Sequence, residues 1–188
     1  MKVDRHGKAA ALSAAQFEAL LTAAPSPRYR ALWTLQRYMA ARISEALALT
    51  WGDVVGQQVT FRRATTKTRT TRQLPQNQVL QEELTNYRQY WTDRHGRAPS
   101  PKDVLFPSPG STTSPITRRS ADEMLRKTCR QIGLVGVTTH SFRRTAAQDA
   151  VNRGVPLHLV QKFTGHKSLG SLGEYLDASD AELLAVIG

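Results

Sequence analysis

His140 and Arg143 stand three residues apart, and His166 and Tyr175 nine residues apart, in the stretch TTHSFRRTAAQDAVNRGVPLHLVQKFTGHKSLGSLGEY that starts at Thr138. These residue types suit phosphoryl transfer. At the start of a helix, His140 and Arg143 project from one face. A phosphate is gripped best by charged, planar donors fixed in direction, which arginine supplies. A tyrosine supplies a nucleophilic oxygen where cations lower the cost of ionising it. The chemistry calls for a second arginine, and Arg42 is the candidate: it sits among Ala40, Ala41 and Ile43, three residues before Glu45. A salt bridge to Glu45 accounts for Arg42 taken alone. Both readings hold together if Glu45 orients the guanidinium.

The elements that position these groups are marked by caps and breakers. Ser13 and Gln16 have capping-box spacing, with Leu12 placed to staple against Phe17, so a first helix begins there. Ser26 and Pro27 open a second, with Tyr29, Leu32, Trp33, Leu35, Tyr38 and Met39 as its broad apolar stripe. A short helix carrying Ile43, Leu47 and Leu49 inward ends before Trp51. Residues 54–74 read as a small sheet, with Val54 and Val55 opening it, Gln58–Arg62 alternating and Thr70–Leu74 returning. Lys67 lies near the tip of that hairpin. Asn77 to about Arg94 is a long helix, and the Gly- and Pro-containing loop after it holds His95, expected to be exposed.

A helix from about Ile116 to Ile132 is stopped by Gly133, and one from about Ser141 to Arg153 by Gly154. Pro156 opens another, with Leu157, Leu159, Val160 and Phe163 as its apolar face and His158 in a structural role. Ser168–Leu176 is helical but weakened by Gly170 and Gly173, so the segment presenting Tyr175 is the one able to move. The expected architecture is α+β: a mainly helical single domain with a small antiparallel three-stranded sheet. Residues 1–11 form a flexible N-terminus, 12–178 the domain, and 179–188 a tail helix opened by Ser179 and Glu182. Leu183, Leu184, Val186 and Ile187 make that tail too apolar to stay undocked.

Composition narrows the partners. A chain of 188 residues with 40% apolar content supports one domain with an ordinary core, not a disordered or fibrous protein. The net charge of +11 favours acidic partners, of which nucleic acid is the commonest. The single Cys129 excludes an internal disulfide and a cysteine-rich zinc site, and it reads as a buried, unreactive thiol. No run approaches the ~18 apolar residues of a membrane span and no signal-peptide core follows Met1, so a cytoplasmic location is expected.

Arg42, Lys67, His140, Arg143, His166 and Tyr175 occur in the chain order of the tyrosine recombinases, the phage-integrase family. ARISEALALTWGDV resembles the family's first-arginine box, HSFRRT its His-x-x-Arg box, and TGHKSLGSLGEY its Gly-His box with the tyrosine nine residues on. TTKT fits the hairpin lysine, and Glu45 fits the acidic residue that supports the first arginine. Two positions depart from the pattern: Ala41 stands where glycine is usual, and Arg144 where histidine is common. About a dozen residues precede the domain, where the family usually carries an N-terminal helical clamp; a short recombinase and a fragment of a longer enzyme both fit.

The resemblance implies that Tyr175 attacks a DNA phosphate, leaving a 3′-phosphotyrosyl link and a free 5′-hydroxyl, with no metal, cofactor or ATP. Arg42 and Arg143 hold the non-bridging oxygens, His140 helps take the tyrosine proton, His166 donates to a non-bridging oxygen, and Lys67 protonates the leaving oxygen. Arg62, Arg63, Arg69, Arg118, Arg119 and Arg144 are expected to contact double-stranded DNA. A homotetramer on DNA is implied, the tail docking on a neighbouring copy. A type IB topoisomerase-like enzyme and a non-catalytic DNA-binding regulator are the alternatives.

Overall fold

The computed structural model describes residues 9–62 and 71–173, together with Leu176 and Leu184. Ser13 caps α1 (Ala14–Thr22) through the expected reciprocal box with Gln16. Proline at the first position opens α2 (Pro27–Tyr38), most of whose residues are buried. The short α3 (Ile43–Leu47) and a 3-10 turn (Trp51–Asp53) lead into β1 (Gln58–Phe61) and β2 (Arg72–Pro75). Asn77 caps α4 (Gln78–His95), and Thr117 caps α5 (Arg118–Gln131). The chain continues through α6 (Ser141–Asn152), α7 (Leu157–Thr164) and α8 (Leu169–Gly173).

The described strands form one antiparallel pair, with Gln58 opposite Pro75 and Phe61 opposite Arg72. The strand expected at Val54 and Val55 is absent. Those residues follow the 3-10 turn, which Asp53 holds by accepting from the Thr50 amide and hydroxyl, and Val55 is 64% exposed. Lys67, Arg63 and Arg69 fall outside the described residues, as does Tyr175.

One large core joins α1–α5 around Leu32, Trp33, Leu35, Leu80, Tyr87, Trp91 and Phe106. Cys129 lies in it, and burial pushes its thiol up to about 11. His95 is no loop residue: it closes α4, its ring 4.1 Å from that of Trp91. A second, much smaller cluster of Ala147, Ala150, Val160 and Leu172 joins α6, α7 and α8. Of the four residues expected to bury the apolar face of α7, only Val160 is in the core; Leu157 and Leu159 are each 46% exposed. The reason is helical phase: α7 meets α6 along the i, i+4 seam of Val160 and Thr164, both buried, which turns its neighbours outward.

Candidate active site

The site starts with a turn. Ala40 lies within the α2–α3 connection at φ +47°, a left-handed conformation that costs an L-residue roughly 1–2 kcal/mol. Its carbonyl accepts a 2.8 Å hydrogen bond from Arg143 Nη1. Arg143, on the first turn of α6, is 1% exposed, so a full positive charge sits inside the protein. Burying a cation is costly unless it is paired and hydrogen-bonded.

Two residues after Ala40, Arg42 begins α3. Its Nη1 donates to Glu45 Oε1 at 2.8 Å, while its own backbone amide donates to Glu45 Oε2 at 3.0 Å. One carboxylate thus caps the helix and fixes the guanidinium. Both readings of Arg42 and Glu45 are therefore compatible: the ion pair exists, and it orients the arginine.

A third arginine converges here that motif spacing did not reveal. Arg72, on β2, approaches Glu45 Oε2 through Nη2 at 3.6 Å and donates from Nη1 to the Phe163 carbonyl at 2.6 Å. Its guanidinium lies 4.6 Å from the centroid of Phe61. Burial lowers its pKa from the ordinary value, and Glu45 opposes that shift. Arg72 ties α3 and β1 to the C-terminal end of α7. In the sequence it is one more basic residue on the return strand of a basic hairpin; the register that sets it opposite Phe61 comes only with the strand pairing.

His166 follows Gly165, which ends α7 in a left-handed conformation at φ +69°. Its imidazole is 8% exposed and contacts the buried Thr164 hydroxyl at 2.8 Å from Nδ1. Burial first, then the charges of Arg143, Arg42 and Arg72, pull its pKa down to about 3. That pattern places three guanidiniums from three separate elements within electrostatic reach of one imidazole. Arg42, Glu45, Arg72, Gly165 and His166 also line a cleft of about 530 Å³, with His158, Lys162 and Lys167 on its rim. His158, expected to be structural, is instead an exposed residue of that rim.

The remaining candidates distribute unevenly. His140 caps α6, exposed, and is not among the residues lining the cleft. Arg62 is exposed and paired with Asp53; Arg118 and Arg119 are exposed on the first turn of α5. Arg144 is 5% exposed, because the α6 face that carries it packs inward, whereas the other described arginines expected at DNA are exposed.

A cleft lined by fixed guanidiniums, a neutral imidazole and lysines can bind a tetrahedral anion and stabilise charge that develops on it. The profile of the phage integrase family matches residues 10–182. The chain belongs to that family. This tyrosine-recombinase domain is 29% identical over 163 residues to a tyrosine recombinase XerC from Mesorhizobium japonicum, covering 85% of this chain and 49% of that protein. It is 31% identical over 150 residues to a putative integrase/recombinase from Sinorhizobium fredii, covering 79% of this chain and 46% of that one. The chain thus spans about half the length of the curated relatives it matches.

Solved structures show the same fold. XerA recombinase aligns with TM-score 0.78 at 20% identity, covering 96% of this chain and 65% of that one. XerH bound to its palindromic difH substrate in a post-cleavage complex aligns with TM-score 0.76 at 20% identity, covering 98% of this chain and 54% of that one. Among the described residues, no helix is long and apolar enough to cross a membrane.

Proposed function

We propose that this domain breaks and rejoins double-stranded DNA at specific sites through a 3′-phosphotyrosyl intermediate on Tyr175. The observation that carries the reading is the convergence of Arg42, Arg72 and Arg143 on His166 beside a cleft, in a chain of the phage integrase family. Arg42 and Arg143 hold the non-bridging oxygens as charge develops, with Glu45 fixing the first guanidinium. Losing one such preorganised donor typically costs roughly 3–4 kcal/mol of barrier. Lys67 protonates the departing 5′-oxygen, a task suited to an ammonium on a flexible stem. The phosphotyrosyl bond conserves the energy needed for religation.

Strand exchange takes four such sites around two duplexes, so the working form is a homotetramer on DNA. The apolar residues Leu183, Leu184, Val186 and Ile187 of the tail dock onto a neighbouring copy in that assembly. The test of the chemistry is a nicked suicide substrate, on which the wild-type chain forms a covalent protein–DNA adduct and Tyr175→Phe forms none. An adduct persisting in Tyr175→Phe removes the tyrosine from its role. Plasmid relaxation without two-site recombination would instead make the enzyme topoisomerase-like, and DNA binding without any adduct would make it a regulator.

A further inference from the structure

The loop that presents His140 is bracketed by two bonds from one short stretch of chain. Ahead of the loop, the Ala10 amide donates to the Gly136 carbonyl at 3.0 Å; beyond it, the Leu12 amide donates to Thr145 Oγ1 at 2.8 Å. Leu12 precedes Ser13, the cap of α1, so the helical ladder does not satisfy its amide. The residue is 4% exposed, and a buried amide left without an acceptor is costly.

The directions of these bonds follow from valence. An amide only donates, so toward Leu12 the Thr145 oxygen presents a lone pair. Its single hydrogen goes to the Ser141 carbonyl at 2.8 Å, four residues back on α6. Thr145 is 1% exposed, so both contacts lie away from water. One side chain thus ties the first turn of α6 to the segment leading into α1. Aromatic packing joins the same two elements: Phe142 meets Phe17 edge-on, with ring centroids 6.2 Å apart.

That turn carries two of the candidate site residues, His140 as the cap of α6 and Arg143 on its first turn. The loop before it is closed by its own bonds. The Thr138 amide donates to Ser141 Oγ at 3.0 Å, the Ser141 amide to the Thr138 carbonyl at 2.9 Å, and the His140 amide to Thr138 Oγ1 at 3.2 Å. A loop stiff in itself is placed by whatever holds its ends, and here Ala10 and Leu12 hold both. Thr145 is not among the residues lining the cleft, so it acts through α6.

We propose that Thr145 is a positioning residue: by accepting from the Leu12 amide, it sets the directions in which His140 and Arg143 leave the first turn of α6. This rests on the phosphotyrosyl reading above for what those two groups do, and adds a residue that touches no phosphate.

Amide hydrogen exchange of the uniformly ¹⁵N-labelled chain, free of DNA, tests the clasp. The Leu12 amide should be protected in the wild type and in Thr145→Ser, and should lose that protection in Thr145→Val. An unprotected Leu12 amide in the wild type overturns the proposal. Single-turnover adduct formation on the suicide substrate tests the positioning, with Thr128→Val as the control. Thr128 is also 1% exposed and makes the same back-bond, 3.1 Å to the Met124 carbonyl, but on α5. At saturating DNA, Thr145→Val should form adduct more slowly by on the order of 10- to 10²-fold, with its DNA affinity unchanged. Thr145→Ser should restore the rate, and Thr128→Val should keep it. If Thr145→Val does not fold, Thr145→Ala carries the same expectations. Equal rates in the two valine variants overturn the positioning role, as does a loss confined to DNA affinity. The exchange is read without DNA, so a missing clasp is distinct from a wild type that forms no adduct, which would sink the phosphotyrosyl reading and the positioning role with it.

Discussion

The Arg143 guanidinium is buried and hydrogen-bonded to the carbonyl of the left-handed Ala40, so its direction is set before any phosphate arrives. Lysine at this position keeps the charge and loses the planar fork. Arg143→Lys should therefore lower the rate of adduct formation by on the order of 10²–10³, measured by single-turnover cleavage. A rate within a few-fold of wild type would mean that charge alone suffices. His166 supplies a stability prediction. Its folded pKa lies at about 3, below the ordinary 6.5, so between those values the unfolded chain binds a proton that the folded chain does not. Its contribution is complete above the unfolded value and is lost as pH falls toward the folded one, at up to roughly 1.4 kcal/mol per pH unit. Denaturant unfolding at pH 7.5 and 5.5 should show this loss, reduced in His166→Gln. An equal loss in both proteins would show that the imidazole is not held neutral.

At the scale of elements, the site depends on the close seat of β2 against the end of α7. A Cβ on Gly165 would meet Arg72 Nη1 at 3.2 Å, and the residue sits at φ +69°. Gly154 shares the conformation, at φ +75°, but a Cβ there meets nothing within 4 Å. Alanine at either position should cost about 1–2 kcal/mol of stability, read by thermal unfolding. Only Gly165→Ala should also slow adduct formation beyond what that instability explains, because it displaces Arg72. Equal activity of the two variants would remove Arg72 from the site.

The helices were legible in the sequence because their ends carry local chemistry. Ser13, Asn77 and Thr117 accept from the third helical amide, and Gly96, Gly133 and Gly154 supply left-handed stops. Arg42, Glu45, Arg143 and His166 were legible from spacing. Arg72 was not, because its partners Glu45 and Phe163 lie far from it along the chain. The outward turn of Leu157 and Leu159 was hidden for a related reason: periodicity gives an apolar face, whereas the packing phase of α7 on α6 selects which part of it is covered.

For the molecule as a whole, the +11 charge predicts that affinity for duplex DNA falls linearly in log K against log salt, a result measurable by fluorescence anisotropy. A salt-independent affinity would contradict a phosphate-led encounter. The division into a large core and a four-residue cluster has a mechanical consequence. The arginines at residues 42 and 72 are anchored by the former, while α7 and α8 rest on the latter, so the segment leading to Tyr175 has the smaller apolar anchorage. Deleting residues 179–188 should abolish two-site recombination while sparing single-strand cleavage; normal recombination by the shortened chain would refute tail docking. The central claim is that one phenol carries the DNA. Peptide mapping by mass spectrometry of the adduct trapped on a suicide substrate tests it most directly. The account predicts a single nucleotide-bearing peptide with its 3′-phosphate on Tyr175; a modified peptide that lacks this residue would contradict it.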